Sequence, residues 1–354
     1  MRKISFCSSM ALDALFFIKK SKMQNSEWMP LYICDESEIF KHPTFKTHFD
    51  ELDFFKIKMN INADNIHFDM SSMALLLSAF TDNSLENITL DDLIKIFENT
   101  DHLIEITRPR IINDFSASHV YPLLDNLKQG LAYEICILLE TLKKNGFEYL
   151  YNNNIIPYIK DDIEKYNKSI AKYDLDKLYN EIALMKNSDS IPYAKIYVNF
   201  FSFPLALNMY HGSFSVCYSG EASIDFFSIV AHEMMHGFAD NELLEMYRKY
   251  MNSDSYLSEN HSRLLSDFGS GDEEEFVKSA EYYLCLRSGH YKKSDLLDRA
   301  KAEYEGVCPF SVIIFDLLSK ERETPKDYNK WLKNIFLQGK LPTFNIEGYV
   351  SSIE

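Results

Sequence analysis

The segment IDFFSIVAHEMMHGFAD, residues 224 to 240, carries two histidines four residues apart with a glutamate directly after the first. Phe227, Val230, Ala231, Met234, Met235 and Phe238 recur at helical spacing around them, so a mostly buried helix is expected. On such a helix His232 and His236 share one face, one turn apart, and their imidazoles can meet on a single metal ion. Glu233 lies about 100° further round, beside that ion without ligating it. At this composition the pattern arises by chance in about 2% of chains of this length. Three polar groups on an apolar helix are also costly to bury unless each has a partner, and a metal supplies one.

A catalytic zinc site wants a third protein ligand and an open fourth position. No HxxGxxH continuation follows His236, so the third ligand is sought on a later helix. The stretch SDFGSGDEEEFVKSAEYYLCLRSG, residues 266 to 289, offers Glu273, Glu274, Glu275 and Glu281. With Glu275 as ligand, Val277, Ala280 and Leu284 make the adjoining face apolar, whereas Glu274 would put Ser279 there and Glu273 would put Glu275 there. Glu275 is the expected ligand and Glu281 the next choice. The competing reading caps the helix at Asp272 with Glu275 closing a capping box. Asp272, Glu273 and Glu274 are expected to be surface acids complementing the helix dipole.

HEMMHGFAD followed by EEEFVKSAEYYL resembles the gluzincin metallopeptidases, including thermolysin-like and anthrax lethal factor-like catalytic domains. The resemblance covers roughly residues 190 to 290. It implies Zn2+ held by His232, His236 and Glu275, with Glu233 as general base and acid in peptide hydrolysis. Asp240 matches a common HExxHxxxD continuation. Two positions depart from the pattern. Ser279 stands where an acid often orients a zinc-bound histidine, and Phe268 where lethal factor-like domains carry a tyrosine. Tyr256, His261, Tyr283, His290 and Tyr304 are the candidate oxyanion donors instead. In that family the strand before the metal helix is a sheet edge that pairs with an extended peptide. SFSVCYS, residues 213 to 219, would be that strand here, with Phe214 and Val216 against substrate. The rival reading is a binding or toxin-like effector protein with a structural metal site, in which His211 or His261 would be a fourth ligand.

These residues need a scaffold of 354 residues, long enough for one large or two ordinary domains. Hydrophobic residues make up 46% and charged residues 25%, the balance of a folded chain rather than a disordered one. Only 11 glycines and 10 prolines imply few turns and long elements. Residues 1 to 190 read as helical, with a long amphipathic stretch at 118–146 that Gly130 could divide and a more polar one at 157–186. AKIYVNFFSF, PLALNMY and SFSVCYS then read as two or three strands, and helical periodicity returns from Glu221 to the end. The expected fold is mainly α with a small β-sheet (α+β): a helical N-terminal region at 1–190 and a zincin-like domain at 191–354.

A net charge of −16 disfavours nucleic acid as a partner. The N-terminal MRKISFCSSMALDALFFIKK is interrupted by Asp13 and ends in Lys19-Lys20, which suits a packed helix better than a signal peptide. No later apolar run reaches transmembrane length. Six cysteines without a CxxC pair fit reduced thiols in the cytoplasm. The expected partner is a peptide or unfolded protein, with neither nucleic acid nor membrane.

Overall fold

The computed structural model describes residues 3–23, 68–111, 120–144, 146–201, 207–217, 225–268 and 270–354. It is mainly α with one small sheet, the class expected. Among the described residues no helix is long and apolar enough to cross a membrane.

The chain divides into two compact units, Met1–Ser169 with Tyr193–Ile224 and Ile170–Pro192 with Asp225–Glu354. A single boundary at 190/191 is therefore replaced by an interleaved division. The strands group with the first half because their hydrogen-bond partner in the sheet is an N-terminal strand that the composition does not mark.

The first unit contains that sheet, in the order β1 (Ile4–Cys7), β2 (Ala194–Asn199), β4 (Ser213–Cys217), β3 (Leu207–Asn208). β1 pairs parallel with β2 and β2 parallel with β4, whereas β3 runs antiparallel to β4. β4 is thus interior, bonded on both sides, and corrects the expectation of a substrate-pairing edge. Phe214 stands opposite Ile196 and Asn208, Val216 stands opposite Val198, and both side chains are buried. Around the sheet the unit is helical: α1 (Met10–Met23), α2 (Met70–Thr81), α3 (Leu90–Glu98), α4 (Thr100–Ile111), α5 (Val120–Asn126), α6 (Ala132–Lys144) and α7 (Ile156–Ile170). The stretch expected at 118–146 is divided where Gly130 takes φ +121, a backbone state that side chains rarely adopt. Local chemistry sets the helix starts. Asp69 caps α2 through Ser72 N–H (2.8 Å), and Thr89 with Asp92 forms a capping box on α3.

The second unit is built of α8 (Leu175–Met185), α9 (Phe226–Glu233), α10 (Asn241–Met251), α11 (Ser255–Asp267), α12 (Glu274–Ser288), α13 (Lys293–Ala302), α14 (Pro309–Ser319), α15 (Tyr328–Leu337) and α16 (Ile346–Ser352). Asp174, Asp225, Asp240 and Asp254 supply carboxylate caps at four of these starts. α12 is the central helix, packed against α9, α14, α8 and α13. Every residue from Glu274 to Cys285 is buried, acids included. Phe276, Phe310 and Tyr247 meet edge-on or tilted at 5.0–5.4 Å between ring centroids, forming the aromatic core on one side of it.

Candidate metal centre

All of the groups that follow lie in the second unit. α9 is apolar on the faces bearing Phe226, Phe227, Val230 and Ala231, which are buried, and it carries His232 and Glu233 at its last two positions. The expected longer helix stops here because Gly237 takes φ +76, a left-handed turn that glycine adopts without a Cβ penalty. His236 sits in the turn between. Lys186 Nζ holds that turn by donating to the carbonyls of Met234 (3.1 Å) and His236 (2.7 Å), groups a helix end leaves without partners.

His232 Nε2 and His236 Nε2 face each other at 3.2 Å. Glu274, in the first turn of α12, brings Oε1 to 3.7 Å from the first and Oε2 to 4.0 Å from the second. Donors at zinc–ligand distances of about 2.0–2.2 Å in a tetrahedron lie about 3.3–3.6 Å apart. The separations of 3.2, 3.7 and 4.0 Å bracket that range, the last two measured to different oxygens of Glu274, and one ligand atom from each side chain falls within 4.8 Å of the others, so the three could hold a metal ion.

The outer nitrogens strengthen that reading. His232 Nδ1 lies 3.1 Å from Glu281 Oε2, and His236 Nδ1 lies 3.4 Å from Glu273 Oε2. When each Nδ1–H donates to its carboxylate, both Nε2 atoms carry lone pairs turned inward beside a third anionic group. Such a convergence of acceptors is repulsive without a positive charge at its centre. Burial alone lowers the His236 pKa, yet its bond to Glu273 and the charges of Glu233 and Glu274 raise it to about 9, so either a proton on this ring or a bound cation can supply that positive charge.

Each outer carboxylate is itself fixed. Glu273 accepts from Gly237 N–H (3.0 Å), Phe238 N–H (3.0 Å) and Ala239 N–H (2.9 Å), tying the turn after His236 to the start of α12. Burial works against its charge, but His236 and those amides hold its pKa below the usual carboxylate range. Glu281 is fully buried, and desolvation opposes its charge. It stays ionised well below the usual range because Lys278, His232 and Arg299 surround it. Lys278 Nζ lies 3.1 Å from its Oε2, Arg299 Nη2 donates to Oε1 at 2.8 Å, and Ser228 also donates to Oε1. Glu274 likewise resists desolvation through the two imidazoles, Lys278 and a hydrogen bond from Tyr304.

Glu275 is corrected as a ligand. It turns into the core, where Tyr247 O–H donates to Oε1 (2.7 Å) and Ser311 N–H to Oε2 (3.0 Å), and burial pushes its pKa up to about 7. Choosing the register by one apolar face fails because α12 is buried on every side, so no face is distinguished by polarity. Glu281, the next choice, orients His232 instead. Glu273 and Glu274 are not surface acids but members of the cluster. Asp272 bonds Arg248 and His261 rather than capping the helix. Glu233 is half-buried at the end of α9, and among the described residues its carboxylate accepts no hydrogen bond.

Of the candidate donors, Tyr304 reaches the cluster and Tyr283 bonds Thr324 instead. His261 is taken up by Tyr247 and Asp272, and Asp240 by the start of α10 and by Lys333. Comparison with known proteins adds no relative: no family model, no curated protein and no solved structure matches the chain.

Proposed function

We propose that the chain is a zinc-dependent peptidase of gluzincin type, with His232, His236 and Glu274 as ligands and Glu233 as the proton carrier. The observation that carries the reading is the convergence of His232 Nε2, His236 Nε2 and Glu274, one ligand atom from each within 4.8 Å of the others, while both Nδ1 atoms are held by Glu281 and Glu273. Two imidazoles and one carboxylate are a donor set suited to Zn2+, and three ligands leave a fourth position for water or substrate. A zinc ion so held supplies a Lewis acid that polarises a carbonyl and acidifies water. The chain's residues do the rest. Glu233, adjacent to the ligand His232 and without a hydrogen-bonded partner among the described residues, takes a proton from the attacking water and returns it to the leaving amine. Glu281 and Glu273 keep the imidazoles in the ligating tautomer.

The substrate in this reading is a peptide or unfolded protein segment and the compartment is the cytoplasm. The free thiols of Cys7, Cys136, Cys285 and Cys308 are in keeping with a reducing environment. Elemental mass spectrometry of the untagged protein, purified without chelator, should find close to one zinc per chain. A peptide-library screen should then show cleavage that Glu233→Gln abolishes. No metal uptake would overturn the reading; one bound zinc without hydrolysis would leave a structural metal site.

A further inference from the structure

The segment joining α13 to α14 has the least comfortable backbone near the cluster. Tyr304 (φ 51, ψ 37) and Glu305 (φ 56, ψ 26) are both left-handed, and Gly306 follows at φ +80. For residues with a Cβ this costs about 1–2 kcal/mol each, and such strain persists only where surrounding contacts enforce it. A Cβ at Gly306 would lie 3.1 Å from the Lys301 carbonyl, so the turn is also tight.

The polar contacts that enforce it run mainly to α12, and the apolar ones to the end of α11 and the residues beside it. Glu303 accepts from Lys278 Nζ at 2.9 Å and from Tyr282 O–H, and lies 3.7 Å from Arg299 Nε. The Tyr304 ring meets Phe268 edge-on at 5.2 Å and packs on Leu264, Val307 and Cys308. Lys278 Nζ sits 5.5 Å from its centroid. Held this way, the phenol donates to Glu274 Oε1 at 2.8 Å. The left-handed pair thus turns two consecutive side chains, Glu303 and Tyr304, onto two successive turns of the same helix.

Resting on the ligand set proposed above, we infer that Tyr304 is the positioning residue for the third ligand. Its hydroxyl fixes the Glu274 carboxylate between the two imidazoles, as Glu281 and Glu273 fix the imidazoles themselves. Among the described residues Glu274 is the one proposed ligand that no carboxylate holds, and Lys278, one turn further on, pairs with Glu281 and Glu303. A phenol from a strained turn supplies the missing constraint. Its ring packing makes the geometry stiff, and its single donor proton leaves the carboxylate charge in place.

Tyr304→Phe keeps the ring, its packing and the backbone, and deletes the one hydrogen bond. Zinc affinity, measured by competition with a chromophoric chelator, should fall about 10- to 100-fold, the usual cost of an orienting partner. The visible spectrum of the Co2+-loaded variant should differ from that of the wild type. Tyr328→Phe is the control, since its buried phenol bonds Ser279 and the Phe276 carbonyl on the same helix without touching a ligand. It should leave both readouts unchanged. Wild-type affinity and an unaltered Co2+ spectrum in Tyr304→Phe would overturn the role of Tyr304 while the site stands. Absence of metal uptake by the wild-type chain would overturn the ligand set and this role together.

Discussion

Glu274 and Glu275 are neighbours in sequence and opposites in environment. Glu274 closes on His232 and His236, whereas Glu275 is fully buried among Tyr247 and Ser311. The 100° step of a helix separates the proposed metal ligand from a core hydrogen-bond acceptor.

This contrast makes the two carboxylates separable by substitution. Glu274→Gln should lose most zinc affinity and melt somewhat lower in the metal-free state, because the imidazoles and Lys278 favour its charge. Glu275→Gln should retain close to one zinc per chain but melt lower. Its amide would turn N–H against one of two donors, Tyr247 O–H or Ser311 N–H, at a cost of about 1–3 kcal/mol. Stoichiometry and metal-free thermal unfolding on both variants check this. Loss of zinc in Glu275→Gln with retention in Glu274→Gln would reverse the assignment.

Glu233 should be separable from binding in the same manner. Glu233→Gln removes a carboxylate that accepts no hydrogen bond among the described residues, so fold and zinc content should stay as in the wild type. Hydrolysis of any peptide the wild type cleaves should drop by about 10²–10⁴-fold, the usual worth of a positioned base. Full activity with normal zinc content would show that another group carries the proton.

The approach of His232 and His236 to each other was legible in the sequence because a spacing of four residues places both rings on one side of a helical turn. The third ligand was not, for a reason visible in α12. Choosing among Glu273, Glu274 and Glu275 by amphipathicity assumes one apolar face, but Glu274 through Cys285 are all buried. Burial of Glu281, Lys278 and Glu275 is made tolerable by partners from other segments, Arg299, Glu303, Tyr247 and Ser311, and no local pattern shows such pairings. Mainly helical character and the strands near 194–217 followed from periodicity and β-branched content. β1, a four-residue strand two residues ahead of α1, did not, and neither did the antiparallel pairing of the two-residue β3 that places β4 inside the sheet. The orienting role of Glu273 also lay hidden. An acid before a helix reads as a dipole partner, and only the folded turn brings the amides of Gly237, Phe238 and Ala239 to it.

The thiols of the first unit give a pH-dependent test of its packing. Burial, helped by Glu86, raises the Cys7 pKa to about 12, and burial with nearby Glu98 and Glu140 raises that of Cys136 to about 11. The thiolate is the reactive species, so a raised pKa means slower alkylation at any pH below it. At pH 8, alkylation of the native protein by iodoacetamide should be at least about 10²-fold slower at both sites than for a free thiol of pKa about 8.5. Each rate should rise with pH towards those values while the fold persists. Peptide mapping by mass spectrometry after timed alkylation reads this directly. Labelling of Cys7 at the rate of a free thiol would show that its burial is wrong.

Glu281 is where metal binding and folding stability should be most tightly joined. Its two oxygens serve His232, Ser228, Arg299 and Lys278 together, entirely out of solvent. Glu281→Ala should release Lys278 and Arg299 from their shared partner and free the His232 ring. Breaking a buried ion pair by removing one side costs about 3–5 kcal/mol, so the metal-free protein should melt well below the wild type. Glu281→Gln keeps the volume and one acceptor, so it should lose less stability while still weakening zinc about 10- to 100-fold through the disoriented imidazole. The pair of variants distinguishes the two duties. If Glu281→Gln matches the wild type in zinc affinity, the carboxylate serves the fold alone, and the orientation of His232 comes from α9 rather than from α12.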